Sequence, residues 1–69
     1  MRFYFTQPGG PPDEDGVEFA DVNSALEEAA RTALLMVREQ PKLTDALTLN
    51  VASTEGLVGS VTVKVAVTR

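Results

Sequence analysis

Apolar and polar side chains alternate in two pairs of segments, one at each end of the chain. Residues 2–6 (RFYFT) and 16–20 (GVEFA) form the first pair, and residues 47–53 (LTLNVAS) and 60–67 (SVTVKVAV) form the second. A period of two with aromatic and β-branched enrichment predicts strands. Glu18 is expected to face outward, and the alternation assigns one apolar face to Phe3, Phe5, Val17, Phe19, Leu47, Leu49, Val51, Val61, Val63, Val65 and Val67.

Between the two pairs the apolar period becomes helical, over residues 22 to about 40. Asp21 is a predicted N-cap, and Pro41 is expected to end the helix. Glu27 and Arg31 stand four residues apart, the spacing of a stabilising ion pair. The apolar stripe comprises Val22, Leu26, Ala29, Ala33 and Val37, flanked by Ala25, Ala30 and Met36. Its many alanines predict close packing against a sheet.

These segments predict an α+β fold of hairpin–helix–hairpin order (ββαββ), an antiparallel sheet with one helix packed on one face, as a single small domain over residues 1–69. Residues 7–16, rich in proline and glycine, form the loop of the first hairpin. With Thr54–Gly56 as the second loop, Leu49 faces Val61 and Leu47 faces Val63, and Gly56 has positive φ. The valine-rich last strand is expected to lie centrally, or else to pair with a second copy from the edge.

The size and composition limit how the chain is stabilised. It has 69 residues, no cysteine and no histidine, and a domain this small buries only about 60% of its unfolded surface. Disulfides and ordinary zinc, iron or copper sites are excluded, which leaves oligomerisation as a supplementary source of stability. In such a marginal domain, replacing Phe5 with alanine is expected to cost roughly 3–5 kcal/mol.

The formal net charge of −4 is unevenly distributed, because no basic residue lies between Arg2 and Arg31. An acidic field of this kind repels phosphate backbones, so no nucleic-acid partner is expected. No apolar run approaches the ~20 residues that span a bilayer, and no membrane partner is expected. The aromatic alternation after Arg2 is unlike a signal peptide, so the expected location is cytoplasmic.

The acidic stretch PPDEDGVEFAD has three interpretations. Asp13, Asp15 and Glu18 could bind a divalent cation, although the further spaced ligands of a calcium loop are lacking. The stretch could also dock a basic partner. The favoured interpretation is structural: Asp15-Gly16 forms a turn, Asp21 caps the helix, and the other acids face water. Replacing Asp13 with asparagine should then change stability by less than about 0.5 kcal/mol.

Catalytic chemistry has little support in the sequence. Without histidine or cysteine the usual nucleophile–base pairs are unavailable. A carboxylate pair would need one desolvated member, whereas the clustered acids lie in a hydrated Gly/Pro-rich loop. No glycine-rich phosphate loop follows a strand. We therefore expect no enzyme activity, no catalytic residue and no cofactor.

Three stretches together resemble a known family: RFYFT at the start, DEDGVEFAD before the alanine-rich helix, and the closing VASTEGLVGSVTV. This arrangement is similar to a family of short bacterial proteins of unknown function, about 70 residues long and found mainly in alphaproteobacteria, which often begin with Arg-Tyr-Phe-Phe-His. Thr6 replaces the family's frequent histidine, and Ser53 its frequent aspartate. The resemblance implies a fold and a bacterial, cytoplasmic setting, and no activity.

The resulting hypothesis is a small non-catalytic module that binds another protein or itself as a homodimer. On the last helical turns Leu35 points away from the apolar stripe, with Leu34 at its margin. One alternative is an acidic, antitoxin-like regulator of a basic protein. Another is weak divalent-cation binding through the acidic loop. The candidate partner-binding residues are Tyr4, Asp13, Glu14, Asp15 and Leu35.

Overall fold

The computed structural model describes residues 1–40 and 46–68. Its elements, in chain order, are β1 (Arg2–Thr6), β2 (Val17–Glu18), α1 (Val22–Glu39), β3 (Ala46–Ser53) and β4 (Gly56–Lys64). The strands form one antiparallel sheet in the order β2-β1-β3-β4, and α1 packs on one face of it. The predicted α+β fold of ββαββ order is confirmed.

The two hairpins join through their first strands, so β1 and β3 occupy the centre of the sheet. Phe5 lies opposite Val51, and Phe3 opposite Ser53. The expectation of a central last strand is therefore wrong, because β4 lies at an edge. An alternating apolar pattern arises from one buried face and is the same for a central strand and for an edge strand covered by a helix.

The second hairpin has the predicted register, with Leu49 opposite Val61 and Leu47 opposite Val63. Its tip is tighter than predicted, because Ser53 already pairs with Gly56, whose φ is +128°. A register shift between Val51 and Ala52 accommodates the difference as a β-bulge. Strand β4 therefore begins four residues before the predicted position, and it ends at Lys64 instead of Val67.

Helix α1 contacts β3 and β4, and its predicted apolar stripe faces the sheet. The buried positions of this face are Ala25, Ala29, Ala33 and Val37. A Cβ added at Gly59 would lie 3.1 Å from Leu26 Cδ2, so helix and sheet are already in close contact there. The small side chains allow this close approach, as the alanine-rich sequence indicated.

Strand β2 is shorter than predicted and lies outside the area that the helix covers. Val17 was assigned to the interior, and it does lie opposite buried Phe3, but it is 52% exposed. The Phe19 ring packs against Phe3 and Phe5 at centroid distances of 6.1 and 6.0 Å. The Phe3 side chain lies in the hydrophobic core and is 1% exposed, whereas Phe5 is only partly buried.

Both ends of α1 follow from local chemistry. The Ser24 backbone N–H donates to Asp21 Oδ1 at 2.7 Å, which confirms the predicted N-cap. Gln40 adopts φ −66° and ψ 135°, the extended conformation that a following proline imposes. Arg31 forms an ion pair with Glu28 at 3.4 Å rather than with the predicted Glu27. In the described part of the chain, no helix has the length and apolarity needed to span a membrane.

Candidate functional site

The Asp13 carboxylate holds the acidic loop to β1. Its Oδ2 accepts a hydrogen bond from the Phe5 backbone N–H at 3.2 Å. Its Oδ1 accepts from the Asp15 N–H at 3.3 Å and the Gly16 N–H at 3.2 Å, closing a local turn. The prediction that this side chain faces water is therefore wrong. The Asp-x-Asp-Gly spacing could have predicted these bonds, because an aspartate side chain often accepts from backbone N–H groups two or three residues ahead.

These bonds stabilise the ionised form of Asp13. The Gly16 N–H, followed by those of Phe5 and Asp15, holds the pKa of the Asp13 carboxyl below its ordinary value of 3.8. The Ser24 N–H lowers the pKa of Asp21 in the same direction. The stabilisation from both groups is fully present above the unfolded-state pKa. It is lost as the pH falls from about 3.8 through the lowered pKa of the folded state.

Replacing Asp13 with asparagine is expected to lower the free energy of unfolding by about 1–2 kcal/mol, more than the sequence suggested. Asparagine keeps one acceptor oxygen, but its NH₂ group would face either the Phe5 N–H or the turn donors. Urea denaturation at neutral pH measures the loss. The difference from wild type should shrink as the pH falls below about 3.8, and it should vanish once the pH is below the lowered pKa of Asp13, where the wild-type carboxylate is itself protonated. A loss below 0.5 kcal/mol at neutral pH would contradict this role.

Each end of the loop forms a turn, and the second turn lies close against β1. The Gly10 N–H donates to the Gln7 carbonyl at 2.9 Å, and Gly9 has φ +75°, as in a type II turn with Pro8 at its second position. At the other end of the loop Gly16 has φ +67°, which confirms the predicted turn. A Cβ on Gly16 would lie 2.8 Å from Tyr4 Cε1 and 2.9 Å from the Phe3 carbonyl oxygen.

The three candidate cation ligands make separate interactions. Asp13 bonds to backbone N–H groups, and the Asp15 carbonyl accepts from Arg2 Nη1 at 2.6 Å. The Glu18 carboxylate pairs with Arg2 Nε at 3.4 Å and with the Met1 amino group at 3.1 Å. Among residues 1–40 and 46–68, no cluster of three or more acidic, histidine or cysteine side chains could hold a metal ion.

Of the remaining partner candidates, Tyr4 is half-buried against Gly16, while Glu14 and Asp15 are exposed. On the outer surface of α1, Leu35 is 53% exposed and Leu34 is 57% exposed. The prediction that Leu35 points away from the core is confirmed. Two exposed leucines side by side on one helix form only a small apolar patch, which is ordinary on a protein surface.

An open cleft of about 230 Å³ lies between the end of β1, the proline-rich loop, α1 and β3. Phe5, Met36 and Leu49 supply its apolar walls, and Thr32 is among its polar groups. Ligand pockets usually enclose about 300–1,000 Å³ with convergent polar groups. This cleft is smaller and open, and it contains no charged side chain.

The outer edge of β4 is the surface that the sequence left only as the alternative to a central last strand. In the described part of the chain β4 pairs on one side, with β3. Leu57 is 69% exposed and Val58 is 37% exposed, and Lys64 is the one charged residue of the strand. The bulge at one end and the lysine at the other are common edge protections. They leave residues 59–63, a typical strand length, available for pairing.

Comparisons with known proteins identify one family. A family model described as a domain of unknown function (DUF6894) matches residues 2–64, which include all four strands and the helix. No curated protein matches the chain. No solved structure matches it either.

Proposed function

The chain belongs to the DUF6894 family, a domain of unknown function, and from that premise we propose that it is a non-catalytic protein-interaction module whose contact surface is the outer edge of β4. The observation that carries the proposal is the position of β4 at the sheet edge, with its Leu57 side chain exposed. An extended segment of a partner can add to such an edge, because its backbone supplies the missing hydrogen bonds.

A non-catalytic role is supported by the side chains that the chain offers. The sequence has no histidine or cysteine to act as base or nucleophile. The clustered carboxylates hold a turn, cap a helix or form surface ion pairs. The pKa values of Asp13 and Asp21 are lowered by these bonds, whereas a catalytic acid usually has a raised pKa.

The edge of β4 is favoured over the acidic loop as the contact surface. Asp13 is used in holding the loop, and Tyr4 is half-buried beneath it. Glu14 and Asp15 remain exposed, but two hydrated carboxylates give little affinity without a shaped apolar neighbour. An antitoxin-like contact with a basic protein would have to rely on them. We also infer a bacterial, cytoplasmic setting, which rests on the resemblance of residues 2–6 to bacterial relatives.

Capture experiments with matched variants test the proposed surface. Thr62→Lys places a charge at the centre of the β4 edge, and Val17→Lys places the same charge on the opposite edge, at β2. Purified, immobilised wild-type chain should retain a protein from the native host, which can be this chain itself. Thr62→Lys should reduce the retained amount at least tenfold, whereas Val17→Lys should not, as measured by quantitative mass spectrometry.

The result that contradicts the proposal is equal retention by wild type and Thr62→Lys. Thr62 Oγ1 lies 2.9 Å from Thr48 Oγ1, so the lysine also removes one exposed hydrogen bond. Circular dichroism of both lysine variants therefore accompanies the capture, to show that each is folded.

A further inference from the structure

We propose that the partner at the β4 edge is a second copy of this chain. Resting on the proposed function, this inference adds the identity of the partner and the geometry of the contact. The two β4 strands pair antiparallel about a two-fold axis at Thr62. Two sheets of four strands then become one continuous sheet of eight, and the axis, perpendicular to the sheet, places both helices on the same face.

The distribution of charge favours approach through this edge. The acidic loop and Glu18 lie by β1 and β2, at the opposite side of the sheet. Three strand spacings of about 4.8 Å separate β2 from β4, so Glu18 stands about 14 Å from the seam. Asp13, which is bound to β1, stands two spacings or about 10 Å away. Both distances exceed the Debye length of roughly 8 Å at physiological salt. Repulsion between the loop acids and Glu18 of the two copies is therefore largely screened at the seam.

The sequence of β4 is complementary to itself in this register. With Thr62 on the axis, Val61 lies opposite Val63 of the partner subunit, and Ser60 lies opposite Lys64 of the partner subunit. The two lysines are then four residues apart along the strands, about 13 Å at 3.3 Å per residue. No like charges face each other, which is the requirement for a stable antiparallel pair.

Pairing would also cover apolar surface that one chain leaves half-exposed. Val61 and Val63 pack under the helix yet remain partly exposed, because the edge gives them neighbours on one side. In the dimer each valine gains a cross-strand valine on the open side. A 69-residue chain without cysteine is the kind of domain for which association adds needed stability.

Charge substitutions at Ser60 test the register directly, because this exposed residue faces Lys64 of the partner subunit twice in the symmetric dimer. Sedimentation equilibrium of the wild type from micromolar to millimolar concentration should fit a monomer–dimer equilibrium based on a chain mass of 7.4 kDa. Ser60→Lys should weaken the dimer roughly tenfold, and Ser60→Glu should strengthen it by a similar factor. Adding Lys64→Glu to Ser60→Lys places the same opposite charges across the seam in reverse order, and should raise the affinity to that of Ser60→Glu. A gain in affinity cannot result from misfolding.

The outcomes separate this inference from the proposed function. A wild type that stays monomeric at millimolar concentration, while Thr62→Lys still abolishes capture of a different protein, overturns the inference and leaves the proposed function standing. If Val17→Lys weakens the dimer and Ser60→Lys leaves its affinity unchanged, the inference and the proposed function are both overturned. Both are also overturned if the wild type stays monomeric and Thr62→Lys retains as much host protein as the wild type does.

Discussion

Replacing Phe3 with alanine is expected to lower the free energy of unfolding by roughly 3–5 kcal/mol, the largest effect of any single substitution considered. Phe3 is 1% exposed and is, with Val51, one of the two largest fully buried side chains among the described residues. It packs with Ala25 and Ala29 of the helix. Small alanines on the facing helix leave little side-chain volume that could fill the cavity. In a domain of this size the loss approaches the whole stability.

Urea denaturation followed by circular dichroism measures this effect, with Phe5→Ala as the matched control. Phe5 carries the same ring on the same strand, but it is partly exposed and lines the open cleft. We expect it to cost less than half as much, because less apolar surface returns to water. This revises the sequence-based expectation of 3–5 kcal/mol for Phe5. A larger loss for Phe5→Ala than for Phe3→Ala would contradict the position of the core.

The second large effect is expected at Gly16, where alanine should cost roughly 2–4 kcal/mol. Two penalties add there. The φ of +67° is unfavourable for any residue with a Cβ. In addition, the new methyl group would lie 2.9 Å from the Phe3 carbonyl oxygen, a backbone atom of β1 that cannot move without disturbing the strand. The loop must therefore shift away from β1, and the Asp13 bonds shift with it.

Gly9→Ala separates the two penalties. Gly9 has a similar φ of +75°, but no atom lies within 4 Å of the position that its Cβ would occupy. It should therefore show only the conformational cost, about 1–2 kcal/mol. Thermal or urea denaturation of both variants gives the comparison. Equal losses would mean that Gly16 is not in close contact with β1.

Local sequence patterns were sufficient to predict much of the fold. The alternation of valine and leucine predicted the register of the second hairpin, because a shift of one residue would have turned every apolar side chain to the other face. Asp21 was recognisable as a helix cap by its position before an apolar stripe of helical period. The structure confirms both.

Strand order could not be predicted in the same way. Val61 and Val63 of β4 alternate like Leu47 and Leu49 of β3, since a helix above the sheet gives each strand one buried face. Which strand of each hairpin lies inward depends on how the hairpins pair with each other, through β1 and β3. That pairing is a long-range choice, and no local pattern in one sequence records it.

Recognition of the β4 edge as the candidate site depended on the same choice, because pairing from the edge was predicted only as the alternative to a central last strand. With a predicted loop at Thr54–Gly56 and a predicted last strand over residues 60–67, Leu57 and Val58 were assigned to neither. The bulge brings these residues into β4 and leaves them on its exposed margin. Conversely, the acidic stretch drew attention through its charge. One of its acids, Asp13, instead accepts hydrogen bonds from backbone N–H groups of its own hairpin.

The central claim, that β4 is the surface through which this chain associates, is most directly tested by amide NMR spectra of isotopically labelled chain recorded from micromolar to millimolar concentration. We predict that concentration-dependent shift changes concentrate in residues 57–64, with hydrogen exchange of that strand slowing as the concentration rises. Shift changes confined to the acidic loop, to β2 or to the outer face of α1, with residues 57–64 unchanged, would contradict the claim.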